Sequence, residues 1–310
     1  EEKAEILTPF IAQRIKTLHH DASNPIRNFR VGETLGGIPV ELDWRLTEVD
    51  HVVLVGGINF HYFAGFTGGR KLVCPGLASA KTVTETHRLA FDCERKTRRK
   101  GVGTGLLDGN AVHEAFMEAA AFAKPSFCVS TIVDDAGAVT DLYCGDWRES
   151  HRAACEAYGK DHTIEITEKR DFVVASCGGY PHDVNMIQAH KTLEAASHAC
   201  NKGGTIVLLA ECSDGLGRSD FIDWFDAADP GAIAEKLCEN YQVNGQTAWN
   251  LMRRAENFNV RIVTNLPEEV TRRMRLTKIS PESVAKLTDG DRGYILPYGA
   301  KFLIRPPAEE

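Results

Sequence analysis

The stretch His51-Val52-Val53-Leu54-Val55-Gly56-Gly57-Ile58-Asn59-Phe60-His61-Tyr62-Phe63-Ala64-Gly65-Phe66-Thr67-Gly68-Gly69-Arg70-Lys71 runs from a β-branched segment into a glycine-rich loop with a histidine near its start and a lysine at its end. The first eight residues have the composition of a buried parallel strand. The loop then leaves the strand's C-terminal edge, the place where open α/β sheets bind ligands. Such a loop lets backbone approach a ligand closely and brings two reactive side chains to it.

The same alternation continues outward. Ile6, Leu7, Phe10, Ile11, Ile15 and Leu18 fall on one helical face, predicting an opening amphipathic helix that ends near His19-His20. Helices are expected over about 79–93 and through Val112–Ala120, and a strand over Phe127–Val133. A second series follows a helix near 150–159. It has strands at Asp171–Ser176, Gly204–Ala210 and Val260–Thr264, and a helix from about Asp183 to Cys200. Strands alternating with helices give an α/β fold class. The expected organisation is two α/β domains with largely parallel or mixed sheets flanked by helices. Residues 1–164 form a cofactor-binding domain, and residues 165–310 form a second domain whose last strand returns to the first.

Composition narrows the partners. The 310 residues are 43% hydrophobic and 25% charged, with a net charge of −7 and no long basic run, so neither nucleic acid nor an anionic membrane surface is expected as a partner. Lys96-Thr97-Arg98-Arg99-Lys100 reads as a solvated loop. No apolar run reaches transmembrane length. Nine cysteines with no Cys-x-x-Cys pair argue against a disulfide framework and a zinc ribbon. They fit small buried residues in a reducing compartment, which predicts a cytoplasmic protein.

The loop fails the common phosphate motifs. Arg70 and Leu72 flank Lys71 where a P-loop needs Gly and Ser/Thr, and Gly65-x-x-Gly68-Gly69 has the wrong spacing for a dinucleotide fingerprint. Gly65, Gly68 and Gly69 are therefore either a tight turn or a cradle of amides for an anion. His87, sixteen residues beyond Lys71, lies on a predicted helix, where a histidine is either a satisfied core residue or a ligand. Gln188 and Lys191 share a helix face with Val184, Ile187 and Ala195. Such a pair either faces solvent or meets an anionic partner such as a substrate carboxylate. His182, His190 and His198 are spaced by eight and do not form one metal face.

Taken together, these motifs resemble the nickel-dependent lactate racemase (LarA-like) family of 2-hydroxyacid racemases and epimerases. The resemblance is carried by the His61-to-Lys71 loop, Pro75-Gly76-Leu77-Ala78-Ser79, His87, the segment Gly178-Gly179-Tyr180-Pro181 to Lys191, and Glu211-Cys212-Ser213-Asp214-Gly215-Leu216-Gly217. It implies a nickel pincer nucleotide, pyridinium-3,5-bisthiocarboxylic acid mononucleotide, tethered covalently to Lys71, with His87 as the protein ligand to nickel. Gly68, Gly69 and Arg70 would also face the cofactor. His61 would be a catalytic acid/base, and Gln188, Lys191 and Trp249 would contact substrate. The implied reaction is proton-coupled hydride transfer through a bound 2-oxo acid, and the implied partners are a small 2-hydroxy acid and the enzymes that make the cofactor. The family's second acid/base histidine, in a Gly-Thr-His-Arg segment, has no counterpart here, nor has its upstream region with a substrate-binding arginine, so residues 1–164 are expected to be an incomplete domain. A nicotinamide-dependent 2-hydroxyacid dehydrogenase and a non-catalytic cofactor-binding module are the competing readings.

Overall fold

The computed structural model describes residues 8–287 and 292–307. A short helix α1 (Pro9–Arg14) and an antiparallel hairpin, β1 (Asn28–Glu33) and β2 (Pro39–Asp43), lead into the first α/β unit. This contains β3 (Val53–Gly57), the small hairpin β4 (Phe60–His61) and β5 (Gly65–Phe66), α2 (Ala80–Arg88), and a second hairpin, β6 (Phe91–Asp92) and β7 (Thr97–Arg98). α3 (Ala111–Ala121), β8 (Phe127–Val133), β9 (Val139–Gly145), α4 (Glu149–His162) and β10 (Thr163–Glu165) complete it. The sheet order is β3-β8-β9, with β3 parallel and β9 antiparallel to β8.

The second unit opens with β11 (Arg170–Ser176), α5 (Met186–Ala199), β12 (Cys200–Leu209), α6 (Pro230–Glu239), α7 (Val243–Asn257) and β13 (Asn259–Val263). α8 (Glu268–Arg273), β14 (Thr277–Lys278), α9 (Pro281–Leu287), β15 (Tyr294–Leu296) and β16 (Leu303–Arg305) follow. Its sheet is parallel throughout, in the order β14-β13-β12-β11-β15, so the winding reverses between β11 and β15. Val173, Ile206, Leu208 and Ile262 pack with Met186 and Leu193 of α5 in one core cluster. A second cluster joins Leu54 and Cys128 to Val112 and Phe116 of α3. The final strand β16 pairs in parallel with β10, tying the chain's end to the first unit.

Several expectations are corrected. Ile6 and Leu7 lie outside the described residues, and α1 spans six residues with Phe10 and Ile15 more than half exposed. A helix that short gains little without packing. The helix expected over 79–93 stops at Arg88 because Phe91 and Asp92 pair with Thr97 and Arg98. Val184 precedes α5, which is capped by Asn185. β3 is parallel as expected but only half-buried, with Val53 and Val55 on an open face. Arg98 is not in a solvated loop: its guanidinium meets buried Glu194 at 2.9 Å. Cys93 and Cys238, 145 residues apart, form a disulfide between the hairpin that follows α2 and helix α6. That pairing is set by the tertiary fold and leaves no local spacing signal. Among the described residues, no helix is long and apolar enough to cross a membrane.

Candidate active site

The loop beyond β3 is folded around an arginine. Gly65, Gly68 and Gly69 all have positive φ, and a Cβ on Gly69 would lie 2.5 Å from the His151 ring. Arg70, fully buried, donates from Nη2 to the Ala64 carbonyl at 2.6 Å and lies with Nη1 2.8 Å from His151 Nε2. His151 Nε2 also lies 3.0 Å from the Thr67 carbonyl, so this nitrogen sits between the guanidinium and the loop backbone. Burial lowers the Arg70 pKa to about 10. The resemblance implied that Gly68, Gly69 and Arg70 face a cofactor. The structure turns Arg70 inward, where it ties the loop to α4 and leaves its charge beneath the site.

Lys71 follows on a 3-10 turn that spans Gly69–Leu72, with its ammonium 5.6 Å from the Phe116 ring and 5.9 Å from Phe63. Burial, reinforced by the Arg70 and Lys191 charges, lowers its pKa to about 7. His87 sits on α2 between the same two rings, 5.1 Å from Phe63 and 5.2 Å from Phe116. Its Nδ1 donates to the Val83 carbonyl at 2.7 Å, which leaves the Nε2 lone pair free. Burial holds it neutral, with a pKa of about 3. The Tyr241 hydroxyl, from the second unit, donates to the His87 carbonyl at 3.0 Å and braces this end of α2.

His61 lies edge-on to Phe63 at 4.4 Å and is stacked on Tyr62. Burial, then the charges of Lys71 and Lys191, push its pKa well below the usual imidazole value. Nδ1 accepts from the Ala64 amide at 3.2 Å, so the neutral ring carries its proton on Nε2. Lys191, on α5, donates to Gln188 Oε1 at 2.5 Å and is lowered by burial. Tyr62 connects this helix to the loop: its ring meets His190 at 4.8 Å and its hydroxyl pairs with Thr247 Oγ1 at 3.3 Å.

His61, Lys71, His87 and Lys191 are thus gathered around Phe63 and Tyr62, with Gln188 bonded to Lys191. Desolvation leads the lowering of His61, Lys71 and Lys191, and no carboxylate contributes to any of the three. Such a cluster favours an anionic partner. Trp249 stands apart, 2% exposed in the core of the second unit, with its ring against Phe91 at 5.0 Å and under the Arg253 guanidinium. His151 and Glu194 were not legible as site neighbours, because their partners lie tens of residues away. Glu194, one turn beyond Lys191, accepts from Arg254 at 2.6 Å and from Asn250 at 2.7 Å, and it meets Arg98 across the units.

Two α/β units that meet at a histidine-bearing loop, with a lysine from each beside His61, define an α/β protein with a shared candidate site. Comparison with known proteins makes the relationship particular. The lactate racemase N-terminal domain model matches residues 1–98, and the C-terminal domain model matches residues 166–286. The lactate racemase of Thermoanaerobacterium thermosaccharolyticum is 32% identical over 219 residues, 70% of this chain and 50% of the relative. That of Lactiplantibacillus plantarum is 31% identical over 212 residues, 68% and 49% of the two chains. The solved lactate racemase apoprotein from T. thermosaccharolyticum superposes with a TM-score of 0.89 at 27% identity, covering 98% of this chain and 74% of that one. A Thermotoga maritima protein shares the fold, with a TM-score of 0.71 at 20% identity over 93% of this chain and 78% of its own. The chain belongs to the lactate racemase (LarA-like) family. It spans about half the length of the curated relatives it matches.

Proposed function

We propose that the protein is a racemase or epimerase of a 2-hydroxy acid that works with the nickel pincer nucleotide. The observation that carries this reading is the pairing of a lysine held near pKa 7 with a neutral histidine whose Nε2 is free, across one aromatic cluster. At neutral pH a large fraction of Lys71 is the free amine that covalent attachment requires. His87 offers a neutral imidazole of the kind Ni(II) prefers. Lys71 and His87 would hold the group, and Gly68, Gly69 and Arg70 shape the loop that carries them. Once bound, the group supplies a reversible hydride acceptor, the route by which a weakly acidic C–H beside a carboxylate is inverted.

The chain's own residues do the rest. Lys191, with Gln188, orients the substrate carboxylate through charge-assisted hydrogen bonds worth about 1.5–3 kcal/mol each. His61 exchanges a proton with the substrate hydroxyl. In the tautomer that the Ala64 bond implies, Nε2 carries the proton, so taking one from a hydroxyl uses Nδ1 and releases that 3.2 Å bond. Tyr62, Phe63 and Phe116 exclude water from these groups, which keeps the imidazoles neutral. The enzymes that make the cofactor act as partners in loading. The cytoplasm is the proposed compartment, supported by seven free cysteines among the described residues and opposed by the Cys93–Cys238 disulfide.

Turnover of lactate carrying deuterium at the α carbon tests the reading. Hydride transfer retains the label in the opposite enantiomer. Wash-out into solvent would show simple deprotonation and overturn the hydride step. Absence of any turnover by cofactor-loaded protein would favour the binding-module reading instead.

A further inference from the structure

Of the nine cysteines, two meet across the boundary between the units. Cys93 stands in the turn of the β6-β7 hairpin, which the Asp92 carboxylate shapes by accepting from the Glu94 and Arg95 amides. Cys238 stands on the last turn of α6, 145 residues further on, with the two Cα atoms 5.5 Å apart, a separation typical of a disulfide. Six of the seven other cysteines are buried, whereas Cys93 is exposed and Cys238 half-buried. Burial keeps a thiol inert, and exposure opens a disulfide to exchange. A single accessible pair in a chain that leaves its other thiols free has the character of a redox-responsive bond rather than of a disulfide framework.

The bond lies where the second unit touches the His87 helix. The hairpin follows directly on α2, and Tyr241, three residues beyond Cys238, donates to the His87 carbonyl at 3.0 Å. Beside the bond, the junction is spanned by the exposed Lys96–Glu235 pair at 2.6 Å, and exposed pairs contribute little. We propose that Cys93 and Cys238 form a reversible thiol–disulfide site that fixes the second unit to the His87 end of the first when oxidised and loosens that junction when reduced. The oxidant is a low-molecular-weight disulfide such as oxidised glutathione. The Cys93 thiolate attacks one of its sulfurs and releases a first small thiol. The Cys238 thiolate then attacks Cys93 Sγ and releases the second. Two protein thiols thus give up two electrons and two protons, and one small disulfide becomes two small thiols. Because Lys71 and Lys191 come from different units, the bond limits how far the site's two lysines can separate. The inference concerns the joining of the units and holds whichever ligand the site takes.

The test places the full chain in buffers of oxidised and of reduced glutathione and reads peptide maps and amide hydrogen exchange by mass spectrometry. A peptide pair linked through Cys93 and Cys238 should form in the oxidised buffer and separate in an excess of reduced glutathione. Exchange across residues 85–98 should be about tenfold slower in the linked form. Cys93→Ser and Cys238→Ser should exchange at the reduced rate in both buffers, which separates the bond from other effects of the oxidant. A linked pair that survives excess reduced glutathione would make the bond a fixed structural one and overturn the proposal. Absence of the linked pair in the oxidised buffer, or equal exchange in the linked and reduced forms, would overturn it equally.

Discussion

Lys71 and His87 are prepared for chemistry by burial more than by charge. Desolvation is the leading cause of both shifts, and it leaves a lysine near pKa 7 and an imidazole that stays neutral far below neutral pH. The Nδ1 bond to Val83 then decides which nitrogen of His87 is free. His87→Ala should therefore give protein that retains the organic adduct but loses nickel by metal analysis; unchanged nickel content would place the ligand elsewhere. The spacing of His61, Lys71 and His87 was legible in the sequence because all three lie on one loop and the helix after it. The inward turn of Arg70 was not, since it depends on His151, a residue 81 positions away.

At the scale of elements, α5 carries Gln188 and Lys191 on one turn and Glu194 on the next. Glu194 is 2% exposed and joins Arg254 and Asn250 of α7 to Arg98 of β7. The cluster holds α5 against the hairpin that follows the His87 helix. Removing one partner of a buried ion pair leaves the others uncompensated, so Glu194→Ala should destabilise the fold by about 3 kcal/mol in urea unfolding. A loss below ~1 kcal/mol would mean that water already compensates the arginines. Most strands and helices were legible from periodicity, because each buries one face in a core. The second hairpin was not, as four residues of Phe91-Asp92 and Thr97-Arg98 carry too little pattern. The Cys93–Cys238 disulfide, closed by tertiary contact, was equally silent.

At the scale of the whole molecule, several histidines are buried and held neutral. His113 and His151 are lowered to about 3 and His190 to about 4, chiefly by burial. In the unfolded chain each takes up a proton near pH 6.5, which the native state does not bind. Unfolding therefore absorbs protons below that pH, and stability should fall as the pH drops from about 6.5 toward 4. Urea midpoints across that range check this, and a flat profile would show that the imidazoles titrate normally in the native state. The gathering of lysines around His61 is likewise a property of the assembled molecule. Lys71 and Lys191 come from different units and meet only when those units close on each other.

The most direct measurement is the intact mass, with peptide mapping and nickel analysis, of the chain coexpressed with the cofactor-making enzymes. A mass adduct mapping to the peptide that contains Lys71, together with one nickel per chain and loss of both in Lys71→Ala, is the predicted result. An adduct that persists in Lys71→Ala, or a loaded preparation in which the peptide of Lys71 is unmodified, would contradict the assignment of this loop as the cofactor's seat.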